Sequence, residues 1–132
     1  MAPMRLDEAA GLTVADVTHS RFKPLPATVR VAEVRAWFAA KASHHMALLA
    51  DDGRFAGSLV PDDLPPGLDP ERPAVEFARL EPTVAPDDPA TRGEELALAT
   101  PALRVPVVDR DGRLLGIVAV TADRQGFCGT GG

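Results

Sequence analysis

A chain of 132 residues is about the size of one domain and can close one modest core. Apolar residues make up 45% and charged residues 25%, which argues against disorder of the whole chain. The net charge of −5 argues against a nucleic acid polymer or an anionic membrane as partner, and no run reaches the roughly 20 apolar residues of a membrane span. The single cysteine, Cys128, and an acidic N-terminus without a secretion signal predict a cytoplasmic protein.

The first predicted elements are a short helical turn, an extended segment and a helix. The turn lies over "TVADVTH" (13–19) and the extended segment over "FKPLPAT" (22–28), where prolines forbid a helix. The helix covers 30–42, because Val31, Val34, Trp37 and Phe38 fall on one apolar stripe. We therefore expect Trp37 in the core or at a dimer contact.

A β-hairpin is predicted next. "LLADDGRFAGSLV" (48–60) is an apolar run, an Asp-Gly turn and a second apolar run, and Asp-Gly adopts the positive φ that tight hairpin turns need. "LPPGLDPERP" (64–73) follows and is too rich in proline to be regular. It separates this part of the chain from the next.

The same order of elements then recurs. "PAVEFARL" (73–80) is a helical turn by pattern, and "EPTVAP" (81–86) is extended. A second helix is expected over 89–100, with Asp88 as its N-cap and Pro89 in its first position. Gly93 weakens that helix by about 1 kcal/mol relative to alanine.

A second hairpin, "VVDRDGRLLGIVA" (107–119), completes the repeat. It lies 59 residues after the first, which places Gly112 over Gly53 and Gly116 over Gly57. An internal repeat of this kind decides the fold.

The duplication predicts an α/β (α+β) fold made of two pseudo-symmetric repeats of β-α-β-β-α type. We expect the repeats at 12–66 and 73–126, with 1–11 and 127–132 as flexible termini and Cys128 on a frayed tail. One unit of this size buries too little surface to be stable alone. The two repeats are therefore expected to pack together about a pseudo-two-fold axis.

The doubled pattern resembles a tandem pair of CBS (cystathionine-β-synthase) domains, also called a Bateman module. The resemblance covers about 12–124, and its most specific piece is "LRVPVVDRDGRLLGIV" (103–118). It implies a stand-alone regulatory module that binds AMP, ADP, ATP or S-adenosylmethionine in clefts between the repeats. It also implies a homodimer that signals to a partner protein.

The family binds ribose through an aspartate that follows the hairpin, since one carboxylate accepts hydrogen bonds from two hydroxyls. Asp63 occupies that position in the first repeat. In the second repeat Ala122 occupies it, and Asp123 follows one residue late. A one-residue slip turns a side chain to the other face of a strand, so Asp63 is the preferred ribose ligand and Asp123 the weaker candidate.

The resemblance also implies phosphate and adenine contacts. Arg104 matches the family's phosphate-binding position, where its planar fork suits phosphate oxygens. His45 lies at the matching place in the first repeat and would be a weaker, pH-dependent partner. Backbone contacts to adenine are implied for the two extended segments, at Pro26, Ala27, Thr28, Val84 and Ala85.

Two other functions stay open. A structural module for dimerisation or docking, with degenerate clefts, fits the loss of the family's Ser/Thr at Val60 and Ala119 and the late Asp123. A small enzyme is disfavoured, because the sequence contains no P-loop and no supported Cys–His or Ser–His–Asp set. Four Asp-Asp or Glu-Glu pairs occur in the chain, and three of them, Asp51-Asp52, Asp62-Asp63 and Asp87-Asp88, lie at predicted turns and are explained by turn and cap chemistry. Neither a metal site nor a resident cofactor is therefore predicted.

Overall fold

A computed structural model describes residues 4–128 as a mixed fold of α-helices and β-strands, which confirms the predicted class. Short 3-10 turns cover Leu6–Glu8, Pro61–Asp63 and Ala74–Phe77. Within the described residues no helix is long and apolar enough to cross a membrane. The regular elements, in chain order, are α1 (Val14–Val17), β1 (Leu25–Pro26), α2 (Val31–Ala40), β2 (Ala47–Asp51), β3 (Arg54–Leu59), α3 (Ala90–Leu98), β4 (Arg104–Val108) and β5 (Leu114–Ala119).

The chain divides into two compact units that differ from the two predicted repeats. The first unit is Lys23–Glu81, and the second contains the described residues of Met1–Phe22 and Pro82–Gly132. Each unit therefore combines the hairpin of one repeat with the helical turn that begins the other. The physical reason is strand pairing, because Ser58 of β3 pairs with Arg79 and Ile117 of β5 pairs with His19.

The unit Lys23–Glu81 contains a three-stranded sheet in the order β1-β2-β3. β1 is parallel to β2, and β2 is antiparallel to β3. Helix α2 begins after Arg30, whose N–H donates to the Glu33 carboxylate, and it buries Val31 and Val34 in the core of the unit. Trp37 is half-buried against the same core, and its ring stacks on His44 with 3.8 Å between ring centroids.

The two Asp-Gly hairpins form different loops. In the first, Asp52 and Gly53 are both left-handed, with φ of 51° and 82°, as a two-residue primed turn requires. In the second, only Gly112 has positive φ, at 83°. The Asp109 carboxylate closes that longer loop by accepting hydrogen bonds from the N–H groups of Asp111 and Arg113.

Helix α3 packs a face of small residues in the second unit, at Ala90, Gly93 and Ala97. A Cβ on Gly93 would lie 3.1 Å from Cγ2 of Val118, so the glycine lets the helix lie close to β5. The prediction that Asp88 caps this helix is wrong. Pro89 holds the N-cap position, and the Asp88 carboxylate instead accepts a hydrogen bond from the N–H of Ala85.

The described ends of the chain are built into the second unit. Phe127 is 0% exposed and pairs with Val120, and the N–H of Cys128 donates to the carbonyl of Ala119. At the other end Ala9 is buried. The expectation of flexible termini is therefore wrong for residues 4–11 and for Phe127 and Cys128. The remaining predicted termini, 1–3 and 129–132, lie outside the described residues.

Candidate functional site

The glycines that the two hairpins share mark a close approach by another segment of the chain. A Cβ on Gly57 would lie 2.6 Å from Cβ of Ala78, and one on Gly116 would lie 2.6 Å from the carbonyl oxygen of His19. Side chains larger than hydrogen do not fit at such distances. The segment that passes Gly57 delivers Arg79 to the last residues of β3.

Asp63, the predicted ribose ligand, ends the 3-10 turn that follows β3. Its Oδ2 accepts a hydrogen bond from the N–H of Val60 at 2.9 Å. Its Oδ1 accepts from both Nε and Nη2 of Arg79, at 2.9 and 2.8 Å. Only 7% of the Asp63 side chain is exposed. The carboxylate is thus fixed in place and paired with donors of its own chain.

Arg79 is held by both its backbone and its side chain. Its N–H and carbonyl each make a 2.9 Å hydrogen bond with the backbone of Ser58. The guanidinium side chain is 67% exposed although it is paired with Asp63. The sequence pattern missed this residue, because Arg79 lies 16 positions from Asp63 and belongs by repeat to the other half of the chain. No motif marks it.

His45 lies at the same end of the sheet as Asp63. It is exposed and precedes Ala47, the first residue of β2, which pairs with Leu59, the last residue of β3. Asp63 follows that same end of β3. The structure therefore brings these two predicted residues to the same end of the strands in one sheet.

The adenine segment of the first repeat lies toward the opposite end of the strands, next to the hairpin turn. Pro26 is level with Ala50, near the hairpin turn, because β1 runs parallel to β2. The N–H of Ala27 donates to the carbonyl of Ala50 at 2.9 Å, and the carbonyl of Pro26 accepts from Val29 at 3.1 Å. Thr28 follows and is exposed. The Ala27 amide is thus used by the sheet, so a purine contact at Ala27 would rely on its carbonyl oxygen.

Arg104 and Asp123 lie near the same end of the β4-β5 hairpin in the second unit. Arg104 begins β4 and pairs with Ala119, the last residue of β5, which leads into the Asp123 loop. The half-buried guanidinium donates from Nη1 to the carbonyl of Ala102 at 2.7 Å. Burial lowers the pKa of Arg104 from its usual value, and the charge of Cys128 opposes that shift. Arginine stays protonated in proteins, so the group still offers a cation.

Asp123 closes a local loop. Its Oδ1 accepts hydrogen bonds from Oγ1 of Thr121 at 2.5 Å and from the N–H of Gln125 at 3.0 Å. These two hydrogen bonds lower the pKa of the exposed Asp123 carboxyl below its usual value. The loop returns the chain to the buried Phe127, which gives the acid a structural role. Ribose binding by Asp123 stays a prediction.

The adenine segment of the second repeat is used by the fold as well. Val84 is 2% exposed, and its N–H and carbonyl bond to Pro106 and Val108 in parallel pairing. The N–H of Ala85 donates to Asp88. Neither amide is left to donate to a purine, so these predicted contacts also depend on carbonyl oxygens.

Within residues 4–128, no group of three or more His, Cys, Asp or Glu side chains could hold a metal ion. In the same residues, no buried side-chain nitrogen or oxygen lacks a hydrogen-bond partner. The predicted site residues Asp63, Arg104 and Asp123, together with Arg79, offer carboxylates and guanidinium groups, which form charge-assisted hydrogen bonds.

The sequence matches no protein-family model, and no curated protein matches it. Solved structures do match. The CBS pair domain of a candidate Mg²⁺ transporter from Shewanella oneidensis gives a TM-score of 0.71 at 16% identity, over 86% of this chain and 68% of that one. A CBS domain pair/ACT domain protein from Thermotoga maritima gives 0.68 at 24% identity, over 82% and 89%. CBSX2 from Arabidopsis thaliana, in complex with AMP, gives 0.67 at 20% identity, over 83% and 90%.

The chain has the fold of a tandem CBS domain pair. This confirms the resemblance that the doubled hairpin indicated. Within the CBS pair, Asp63 is the one predicted ribose ligand that keeps the family's spacing from the hairpin glycine. Arg79, which no family position predicted, is the side chain that contacts it.

Proposed function

We propose that this CBS pair is a regulatory module that binds an adenosine-containing ligand, namely AMP, ADP, ATP or S-adenosylmethionine. The observation that supports the proposal best is the carboxylate of Asp63, held at the end of β3 by the N–H of Val60. A carboxylate in that place suits two ribose hydroxyls, which are neutral donors. CBSX2, a protein of similar fold, was solved in complex with AMP.

The module would act by binding and not by catalysis. A ligand shifts the equilibrium of a partner only by its differential affinity for two states, so the bound and free modules must differ in how they contact that partner. We place the module in the cytoplasm as a homodimer with a regulated partner protein. The net charge of −5 supports an assembly without nucleic acid or membrane.

Melting curves with AMP, ATP and S-adenosylmethionine test the proposal. A ligand present at 100 times its dissociation constant adds about 2.7 kcal/mol, which raises Tm by roughly 10 °C for a domain of this size. The Asp63→Asn variant keeps an acceptor for the Val60 N–H but loses the charge, so it should lose the shift. Asp62→Asn is the matched control and should keep it, because Asp62 lies in the same 3-10 turn as Asp63 but is exposed and is not a predicted ribose ligand.

The structural module for dimerisation or docking is the second candidate. One observation favours it, since the carboxylates of both Asp63 and Asp123 are engaged by donors of their own chain. In that case millimolar AMP, ATP and S-adenosylmethionine leave Tm unchanged, while sedimentation shows a stable dimer. A shift with any of the three ligands that Asp63→Asn removes would decide for the regulatory module.

A further inference from the structure

The Asp63 carboxylate is nearly saturated by its own chain. A carboxylate has about four lone-pair sites, and three N–H groups already point at this one, two from Arg79 and one from Val60. Two ribose hydroxyls need two acceptor sites. A ribose can therefore be bound by both of its hydroxyls only if Arg79 leaves Oδ1.

The structure allows the guanidinium to leave without unfolding anything. The Arg79 backbone is fixed on β3 by two hydrogen bonds to Ser58, whereas 67% of the side chain is exposed. Because the arginine side of the pair is open to water, solvent takes up the released guanidinium and the long side chain regains freedom, so the pair opens more easily than a fully buried one. The Arg79 side chain can swing about a fixed Cα and remains close to whatever replaces it at Asp63.

A displaced Arg79 favours an anion on the incoming ligand. The guanidinium presents its N–H donors in a planar fork that matches phosphate oxygens. The phosphate of a nucleotide is attached to the ribose whose hydroxyls would bind the Asp63 carboxylate. It therefore lies where the displaced Arg79 guanidinium can pair with it. Adenosine has no charge to offer, and S-adenosylmethionine carries a sulfonium cation at the corresponding carbon of the ribose.

We propose that Arg79 is a selectivity residue of the Asp63 site, which it occupies in the free protein and leaves for the ligand phosphate when a nucleotide binds. The inference rests on the proposed function and narrows its ligand class to adenosine phosphates. Arg79 thus has two separate effects. By pairing with Asp63 it lowers the affinity for every ribose-bearing ligand alike. By pairing with a phosphate it raises the affinity for phosphorylated ligands only.

Titration of the ¹⁵N-labelled chain with AMP and with adenosine, followed by NMR, separates the two effects. In Arg79→Gln the affinity for adenosine rises by about fivefold, the upper value for an ion pair whose arginine is open to water. The ratio of AMP affinity to adenosine affinity falls by at least about tenfold, the worth of a hydrogen bond to a charged group. The competition between the Arg79 guanidinium and the ribose hydroxyls for Asp63 lowers the affinity for AMP and for adenosine by the same factor, so it does not change the ratio of the two affinities.

Two further variants make the test specific. Arg79→Lys keeps the cation and should retain most of the ratio. Arg72→Gln removes an equally charged, exposed arginine from the same unit, one that pairs with Glu76 and not with Asp63. It should change the ratio by less than about twofold, since its charge is screened by solvent.

The outcomes are distinct. An unchanged ratio in Arg79→Gln, or a weaker affinity for adenosine, overturns the role of Arg79 while the regulatory module stands. The same fall of the ratio in Arg72→Gln also overturns it, because general charge and not position would then be the cause. Failure of the unmodified protein to bind either ligand at millimolar concentration overturns the proposed function and this inference together.

Discussion

Replacing Phe127 by alanine tests whether the segment around Phe127 is part of the folded unit. The side chain is 0% exposed and belongs to the core cluster that includes Val118 and Val120. Truncation of a buried phenylalanine costs about 3–5 kcal/mol, from the lost apolar burial and the cavity left behind. A domain has a total free energy of unfolding of only about 5–15 kcal/mol, so Phe127→Ala should remove a large part of it.

Urea denaturation followed by circular dichroism measures the loss. Leu80→Ala is the matched control, since Leu80 is also large and apolar but is 63% exposed, and surface changes usually stay within about 0.5 kcal/mol. A frayed tail predicts that both variants resemble the unmodified protein. A loss below about 1 kcal/mol in Phe127→Ala would show that the packing described for this segment is wrong.

Three further changes report on local geometry. Gly116→Ala should cost about 1–3 kcal/mol of unfolding free energy, because the new Cβ meets the backbone oxygen of His19; unchanged stability would contradict the close approach. Gly53→Ala should cost about 1 kcal/mol in the same assay, since its φ of 82° strains any side chain, and no loss would argue against the primed turn. By NMR the Asp123 carboxyl should titrate below about 3.9, its ordinary pKa, because its hydrogen bonds favour the charged form. The stabilisation from Asp123 is then present above that pH and is lost as pH falls through the lowered value; Thr121→Val should move the midpoint upward, and an unmoved midpoint would exclude the Thr121 hydrogen bond as the cause.

Much of the local structure follows from pattern alone. The apolar stripe of Val31 and Val34 gave a helix whose bounds, Val31–Ala40, lie within the predicted 30–42. The Asp-Gly pairs marked both hairpins, although Gly112 sits in a longer loop than Gly53 does. These features depend on residues close together in the chain, so period and turn chemistry identify them.

Contacts between distant residues explain what pattern missed. Gly57 and Gly116 were visible as a repeat, but only the folded chain shows the segments that lie against them. The same pairing exchanges the helical turns between the repeats, which is why the compact units differ from 12–66 and 73–126. No local rule predicts which edge of a hairpin a later segment will cover.

The sequence by itself determined a duplicated α+β chain, its two hairpins and the spacing that singles out Asp63 as the family's carboxylate. Tertiary structure decided the surroundings of that carboxylate, because Arg79 reaches it only when a segment from the other repeat pairs with Ser58. It also decided the position of Phe127, whose apolar side chain is buried in the core of the second unit. The sequence specifies which residues carry a charge, whereas the partner of each charged group depends on which backbone segments pair in the folded chain.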